Sequence, residues 1–141
     1  MKKVLVALLC LGLVGCATLA PYSLLGLNSE KVKTWDDDKI HGTLASVFNS
    51  HPDSVFQQGK AILRQEMVNR HPEWRDDIKN NILEGSLSIG MTREQALASW
   101  GSPYDINRTV TGNSVNEQWV YGTYGSAYLY FDNDKLTTIQ N

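Results

Sequence analysis

Cysteine is nearly absent from this chain of 141 residues: its two copies are Cys10 and Cys16, and none follows. A disulfide framework or a cysteine-based metal site downstream is therefore excluded, and the folded part must rely on burial alone. Histidine is almost as scarce, with three copies at 41, 51 and 71. None lies three to five residues from another, which is the spacing a zinc pair uses. No basic run follows Lys3, and the formal net charge is −2, so nucleic acid and anionic lipid surfaces are poor partners. Only one long apolar run occurs, residues 4–14. At about 11 residues it is well short of the roughly 20 that cross a bilayer as a helix. No serine stands in a nucleophile elbow and no histidine has a catalytic partner nearby in sequence, so no enzymatic chemistry, cofactor or metal is expected.

The apolar run has a different meaning. Lys2 and Lys3 precede it, and Leu13-Val14-Gly15-Cys16 closes it with small residues, the layout of a secretory signal. These residues resemble the lipobox of bacterial lipoproteins. The resemblance implies cleavage after Gly15, a diacylglyceryl thioether on Cys16 and acylation of the new amino group. One acyl chain holds a membrane only marginally, whereas two or three make a lasting anchor. Ala17 rather than Asp after the cysteine implies, by enterobacteria-like sorting, an outer-membrane lipoprotein facing the periplasm, with the inner membrane or the cell surface as the other destinations.

Residues 17–34 read as a tether, because Pro21, Gly26, Asn28 and Ser29 interrupt any helix. A flexible coil of that length spans roughly 25 Å. A helix is expected over residues 35–49, with Asp36, Asp37 and Asp38 in its first turn and Ile40 and Leu44 on one face. The three aspartates lack the alternation, turn glycine and closing glutamate of a calcium loop. His51-Pro52-Asp53 and His71-Pro72-Glu73 each read as a helix start, with proline at the first helical position. The first helix would bury Phe56, Gly59, Leu63 and Met67, and the second Trp74, Ile78 and Ile82 before ending at Gly85.

Residues 89–103 read as one fully punctuated helix. Gly90 turns the chain, Thr92 caps with Gln95 completing a capping box, Leu97 and Trp100 share a face, and Gly101 and Pro103 stop it. Beyond Pro103 the period becomes alternating. Thr111-Gly112-Asn113-Ser114 is a hairpin signature with Gly112 and Asn113 available for positive φ, the turn 122–125 displays Tyr124, and Asp132-Asn133-Asp134 makes a third turn. Trp119 and Tyr121 share one face, while Leu129 and Phe131 oppose Tyr128 and Tyr130. The expected class is α+β: N-terminal helices packed on one face of a three- to four-stranded antiparallel meander.

One order of motifs spans residues 82–133: Ile82 and Gly85, then Gly90-Met91-Thr92 with Gln95, then Trp100-Gly101-Ser102-Pro103, then Trp119 and Tyr121, then Phe131-Asp132-Asn133. It resembles the lipoprotein domain shared by BamE, SmpA and OmlA, small outer-membrane assembly proteins. The resemblance implies two helices on a three-stranded sheet, a fold also similar to that of the protein inhibitor of β-lactamase, and an anchored, non-enzymatic role. The long helical segment 35–84 departs from it. The expected organisation is a signal peptide at 1–15, a lipidated tether at 16–34, a helical segment at 35–84 and the BamE/SmpA-like part at 85–141. The expected function is a protein-interaction module that binds another envelope protein through Tyr124, Tyr128 and Tyr130, in envelope or outer-membrane protein assembly. Two alternatives stand beside it: an inhibitor or immunity-type lipoprotein with one target, and a small-ligand binder with Trp74, Trp100 and Trp119 lining its pocket. Cys16→Ser is expected to leave an uncleaved or soluble protein, and palmitate label retained by that variant would refute the lipid anchor.

Overall fold

The change of period at Pro103 divides the chain into helices and strands. The computed structural model describes residues 27–47, 54–122 and 126–141, so Cys16, the His51-Pro52-Asp53 start and Tyr124 lie outside the described residues. Helices α1 (Ser29–Val32), α2 (Asp37–Val47), α3 (Ser54–Arg70), α4 (Asp76–Glu84) and α5 (Arg93–Trp100) precede strands β1 (Asp105–Val110), β2 (Val115–Tyr121), β3 (Ala127–Asp132) and β4 (Lys135–Gln140). The strands form one antiparallel meander in the order β1-β2-β3-β4. The class is α+β, with the helices first in sequence.

Local chemistry bounds α5 and ends α4 where it was read, with two exceptions elsewhere. Thr92 accepts from the Gln95 N–H at 3.2 Å and the Gln95 side chain accepts from the Thr92 N–H at 2.9 Å, which completes the capping box of α5. Gly85 ends α4 at φ 71°, where a residue with Cβ is strained. The first exception is the tether. Asn28 does not break a helix but caps α1, accepting from the Lys31 N–H at 2.9 Å, and Leu27 and Val32 are buried. Residues 27–34 therefore belong to the domain. The second is His71-Pro72-Glu73, which opens a turn. Trp74 N–H donates to the His71 carbonyl, His71 stacks on Trp74 with centroids 4.1 Å apart, and α4 begins only at Asp76. The stacked pair folds the chain back before the helix can start.

Arg70, at the end of α3, joins the first helices. Its guanidinium donates to the Trp35 carbonyl at 2.8 Å and the Val32 carbonyl at 3.3 Å, and pairs with Asp37 and Glu66. The last carbonyl of α1, which also accepts from Trp35 N–H, and the Trp35 carbonyl beyond it thus gain a charged donor.

At eight residues α5 is too short to persist alone, and its neighbours hold it. Helices α2, α3 and α4 all contact it. Leu97 and Trp100, expected to be its core face, are only partly buried; Ala96, Ala98 and Ser99 are the fully buried ones. With neighbours on several sides, small residues sit where they come closest.

The tightest approach is at Gly101. Its φ is 80°, and a Cβ there would lie 2.6 Å from the His41 carbonyl oxygen and also collide with the Ala45 amide of α2. The same joint makes four hydrogen bonds: Gly101 N–H to Leu97 O at 2.7 Å, Ser102 N–H to His41 O at 3.1 Å, Tyr121 OH to Gly101 O at 2.9 Å, and Trp100 Nε1–H to Gly85 O at 2.9 Å. Trp100 also meets Tyr121 edge-on at 5.3 Å. Helix α2, the end of α4 and strand β2 are thereby fixed to one short stretch.

Hairpin geometry sets the sheet. Asn133 and Asp134 have φ of 46° and 73°, a two-residue turn of the kind that matches strand twist. Gly112 and Asn113, available for positive φ, do not use it. The four-residue loop they belong to closes instead through Thr111, whose N–H donates to Ser114 O at 2.8 Å and whose hydroxyl accepts from Ser114 N–H at 3.1 Å. A bulge between Tyr130 and Phe131 leaves Thr137 without an opposite residue. Leu136 and Ile139, three apart, therefore both pack against the core.

Gly101→Ala is expected to lower stability by about 2–4 kcal/mol, from backbone strain and displacement of α2 together. An unchanged denaturation midpoint would contradict the close approach.

Candidate functional site

Register divides the sheet into two faces. Trp119, Tyr121, Leu129 and Phe131 alternate inward and are buried. Their neighbours alternate outward onto a face that no described helix covers. Asn107 on β1, Gln118 on β2, Tyr130 on β3 and Thr138 on β4 lie opposite one another across it, with Val120 beside Tyr128.

Hydrogen bonds run across this face from edge to edge. Asn107 donates to Gln118 at 3.1 Å, Gln118 donates to the Tyr130 hydroxyl at 3.1 Å, and that hydroxyl donates to Gln140 at 3.2 Å. Each amide is oriented by the next, so the row is held before any partner arrives. Asn107, Thr109, Asn116, Gln118, Tyr130 and Thr137, together with Glu117 and Phe131 whose side chains belong to the inward row, line a shallow depression of about 310 Å³. Charge stays at the ends, with Asp105 at one and the opposed Asp132 and Lys135 at the other. The centre presents amides, hydroxyls and two half-buried tyrosines.

The residues expected at the site fall into three groups. Tyr128 and Tyr130 stand on the open face, as their alternation places them, and Tyr130 is already engaged by Gln118 and Gln140. Gly90, Met91, Thr92, Trp100, Gly101, Pro103, Trp119 and Tyr121 belong to the α5 joint and the core. Gly90 turns at φ 92°, Met91 is fully buried, Pro103 follows the joint, and burial pushes the Tyr121 phenol well above its ordinary value. Cys16 and Tyr124 lie outside the described residues. Each of the three tryptophans meets a different aromatic ring: Trp74 stacks on His71, Trp100 meets Tyr121 edge-on, and Trp119 packs at a tilt on Phe131 at 4.5 Å.

Sequence reasoning missed the one buried carboxylate among the described residues. Glu117 shares the inward face of β2 with Trp119, and its side chain is 7% exposed. One oxygen accepts from Arg93 at 2.8 Å, the other accepts from Trp119 Nε1–H at 2.8 Å, and Arg108 stands 3.4 Å from the first. Arg93 also donates to Asp134 in the β3–β4 turn at 2.7 Å. Both carboxylate oxygens are occupied, so this glutamate holds the start of α5 to the sheet. Two signals for it were present: the parity of Glu117 with Trp119, and Arg93 directly after the cap. Among the described residues no group of three histidine, cysteine or carboxylate side chains is placed to hold a metal ion, and no helix is long and apolar enough to cross a membrane.

Comparison with protein-family models, curated proteins and solved structures gives no significant match.

Beneath the helices, His41 is 5% exposed and its Nε2 has no hydrogen-bond partner among the described residues. Burial pushes its imidazole below the ordinary 6.5, opposed by Asp37 and Asp38 and reinforced by His71 and Arg70. Because the folded state then binds the proton less readily than the unfolded chain, stability is expected to fall as pH drops below 6.5 and to level off once the folded-state value is passed. His41→Leu should flatten that decline in urea titrations at a series of pH values. An unaltered slope in the variant would assign the proton to another group.

Proposed function

We propose that this chain is an outer-membrane lipoprotein, anchored through Cys16 and facing the periplasm, that binds another envelope protein and catalyses nothing. The observation that carries the reading is the open sheet face with its charge-free centre. Protein interfaces are depleted of lysine, glutamate and aspartate at their cores and enriched in tyrosine. Tyrosine with asparagine and its relatives also supplies contact area and adaptable hydrogen bonds at little entropic cost. The row from Asn107 to Gln140 adds to this, since side chains already held by neighbours lose less freedom when a partner docks.

On this reading Tyr130 is the fixed anchor and Tyr128 the contact beside it, with Tyr124 at the neighbouring turn. The resemblance of the Gly90-Met91-Thr92, Trp100-Gly101-Ser102-Pro103 and Phe131-Asp132-Asn133 motifs to the BamE/SmpA/OmlA domain supports the same role, and envelope or outer-membrane protein assembly is the process it suggests.

The test is photo-crosslinking in intact cell envelopes, with a photoreactive residue replacing Tyr128 in the lipidated protein. One dominant adduct is expected, weakened by Gln118→Arg, which puts a charge at the centre of the face. Adducts as diverse as those from an exposed helical position such as Asp76 would refute the assignment.

A further inference from the structure

The two edges of the sheet are finished differently. Along β4 the residues before α5 lie against the strand: Leu136 N–H donates to Met91 O at 2.8 Å, Gly90 N–H donates to Leu136 O at 2.8 Å, and Thr92 bridges to Lys135. No described strand or loop pairs with the outer edge of β1, and all six of its residues are exposed. Thr111 N–H turns inward to Ser114 O, so the odd-numbered residues of β1 bond β2, and the backbone groups of Ile106, Arg108 and Val110 point outward. The Ile106 N–H reaches only the carboxylate of Asp105, at 2.9 Å.

Side chains on this edge repeat the pattern of the core. Ile106 lies opposite Trp119, Arg108 opposite Glu117 and Val110 opposite Val115, so the three continue the inward row beyond the reach of the helices. Ile106 is 46% and Val110 65% exposed, and Tyr104 just ahead of them is 71% exposed. An unpaired edge with an uncovered apolar row is a template for another strand.

Charge decides what fits it. The Arg108 side chain is 57% exposed, and its nearest acid, Glu117, is already taken by Arg93 and Trp119. The guanidinium between Ile106 and Val110 thus keeps N–H groups that no described carboxylate satisfies. We propose that β1 is a strand-addition site for an extended segment of another polypeptide whose alternate residues read apolar, acidic, apolar, with the acid opposite Arg108. On its other side β1 already has that complement in Trp119, Glu117 and Val115. The β1 strand of a second copy cannot provide it. Two-fold pairing of β1 with itself sets same-face residues opposite, so Arg108 meets Tyr104, Ile106, Arg108 or Val110, while Asp105 lies on the other face.

This assignment rests on the reading of the chain as a protein-binding module, but on a different surface from the open face. The probe is a labelled nine-residue peptide that alternates valine with threonine and carries one glutamate at its central valine position. Its binding to the full-length protein in detergent is followed by fluorescence anisotropy. It is expected to bind roughly three- to tenfold more tightly than the same peptide with lysine in place of glutamate. Arg108→Glu should reverse that preference. Arg108→Gln, which leaves the Arg93–Glu117 pair intact, should erase it while the protein stays folded. Backbone N-methylation on alternate residues of the peptide should abolish binding. Equal affinity for both peptides, binding that survives N-methylation, or no binding up to about 1 mM would overturn the proposal. Dimerisation through β1, undone by Val110→Lys, would overturn it in favour of a second copy. Photo-adducts from position 128 should persist in Arg108→Gln, so failure at the edge leaves the open-face reading standing, and the reverse holds too.

Discussion

The domain depends on how closely α2 approaches the chain at Gly101. Only a residue without Cβ fits beneath His41 and Ala45, and only there can the backbone turn at φ 80° to leave α5 and enter the sheet. Every other long-range bond of the joint presupposes that position. Tyr121 reaches the Gly101 carbonyl and Trp100 reaches the Gly85 carbonyl because α5 stops where it does. A packed interior tolerates little displacement, so this close approach sets α2 against the end of α5, and Tyr121 ties β2 to the same point.

From that joint the sheet inherits one covered and one open face, and two small irregularities keep them distinct. The bulge at Thr137 lets Leu136 and Ile139 both turn inward despite their odd separation. The turn at Asn133 and Asp134 brings a carboxylate back to Arg93 at the start of α5. The helical layer ends before β1, which leaves a sheet with a polar platform on one side and an unfinished strand at its border.

Much of this was legible in the sequence because it is local chemistry. Thr92 with Gln95, the glycines at 85, 90 and 101, and the alternation of Trp119 with Tyr121 each announce a geometry within a few residues. What stayed hidden depends on distant partners. The parity of Glu117 with Trp119 marks its face, but only the fold brings Arg93 to it, and nothing near Arg70 reveals the carbonyls of Val32 and Trp35. Proline at 72 suggested a helix start, but the stacking of His71 on Trp74 outweighs that local preference. Helix α5 misled for a third reason: a helix surrounded by neighbours selects small residues at contact points, so Leu97 and Trp100 carry its pattern while Ala96, Ala98 and Ser99 carry its burial. The open face was readable as tyrosines on one side of a strand, yet the bonded row from Asn107 to Gln140 needed all four strands in register.

The guanidinium of Arg70 has a mechanical consequence. Among the described residues α1 comes first, and Arg70 grips its last carbonyl at Val32, the Trp35 carbonyl beyond it and Asp37 at the head of α2. Tension arriving along the backbone from residue 27 must strain these bonds before it loads the meander, because α1 packs on α3 and the strands are all downstream. Several bonds stretched together resist more than the same bonds broken in turn. The clamp therefore acts as a strain relief at the point of entry, and the sheet keeps its shape under a pull that would first have to peel α1 away.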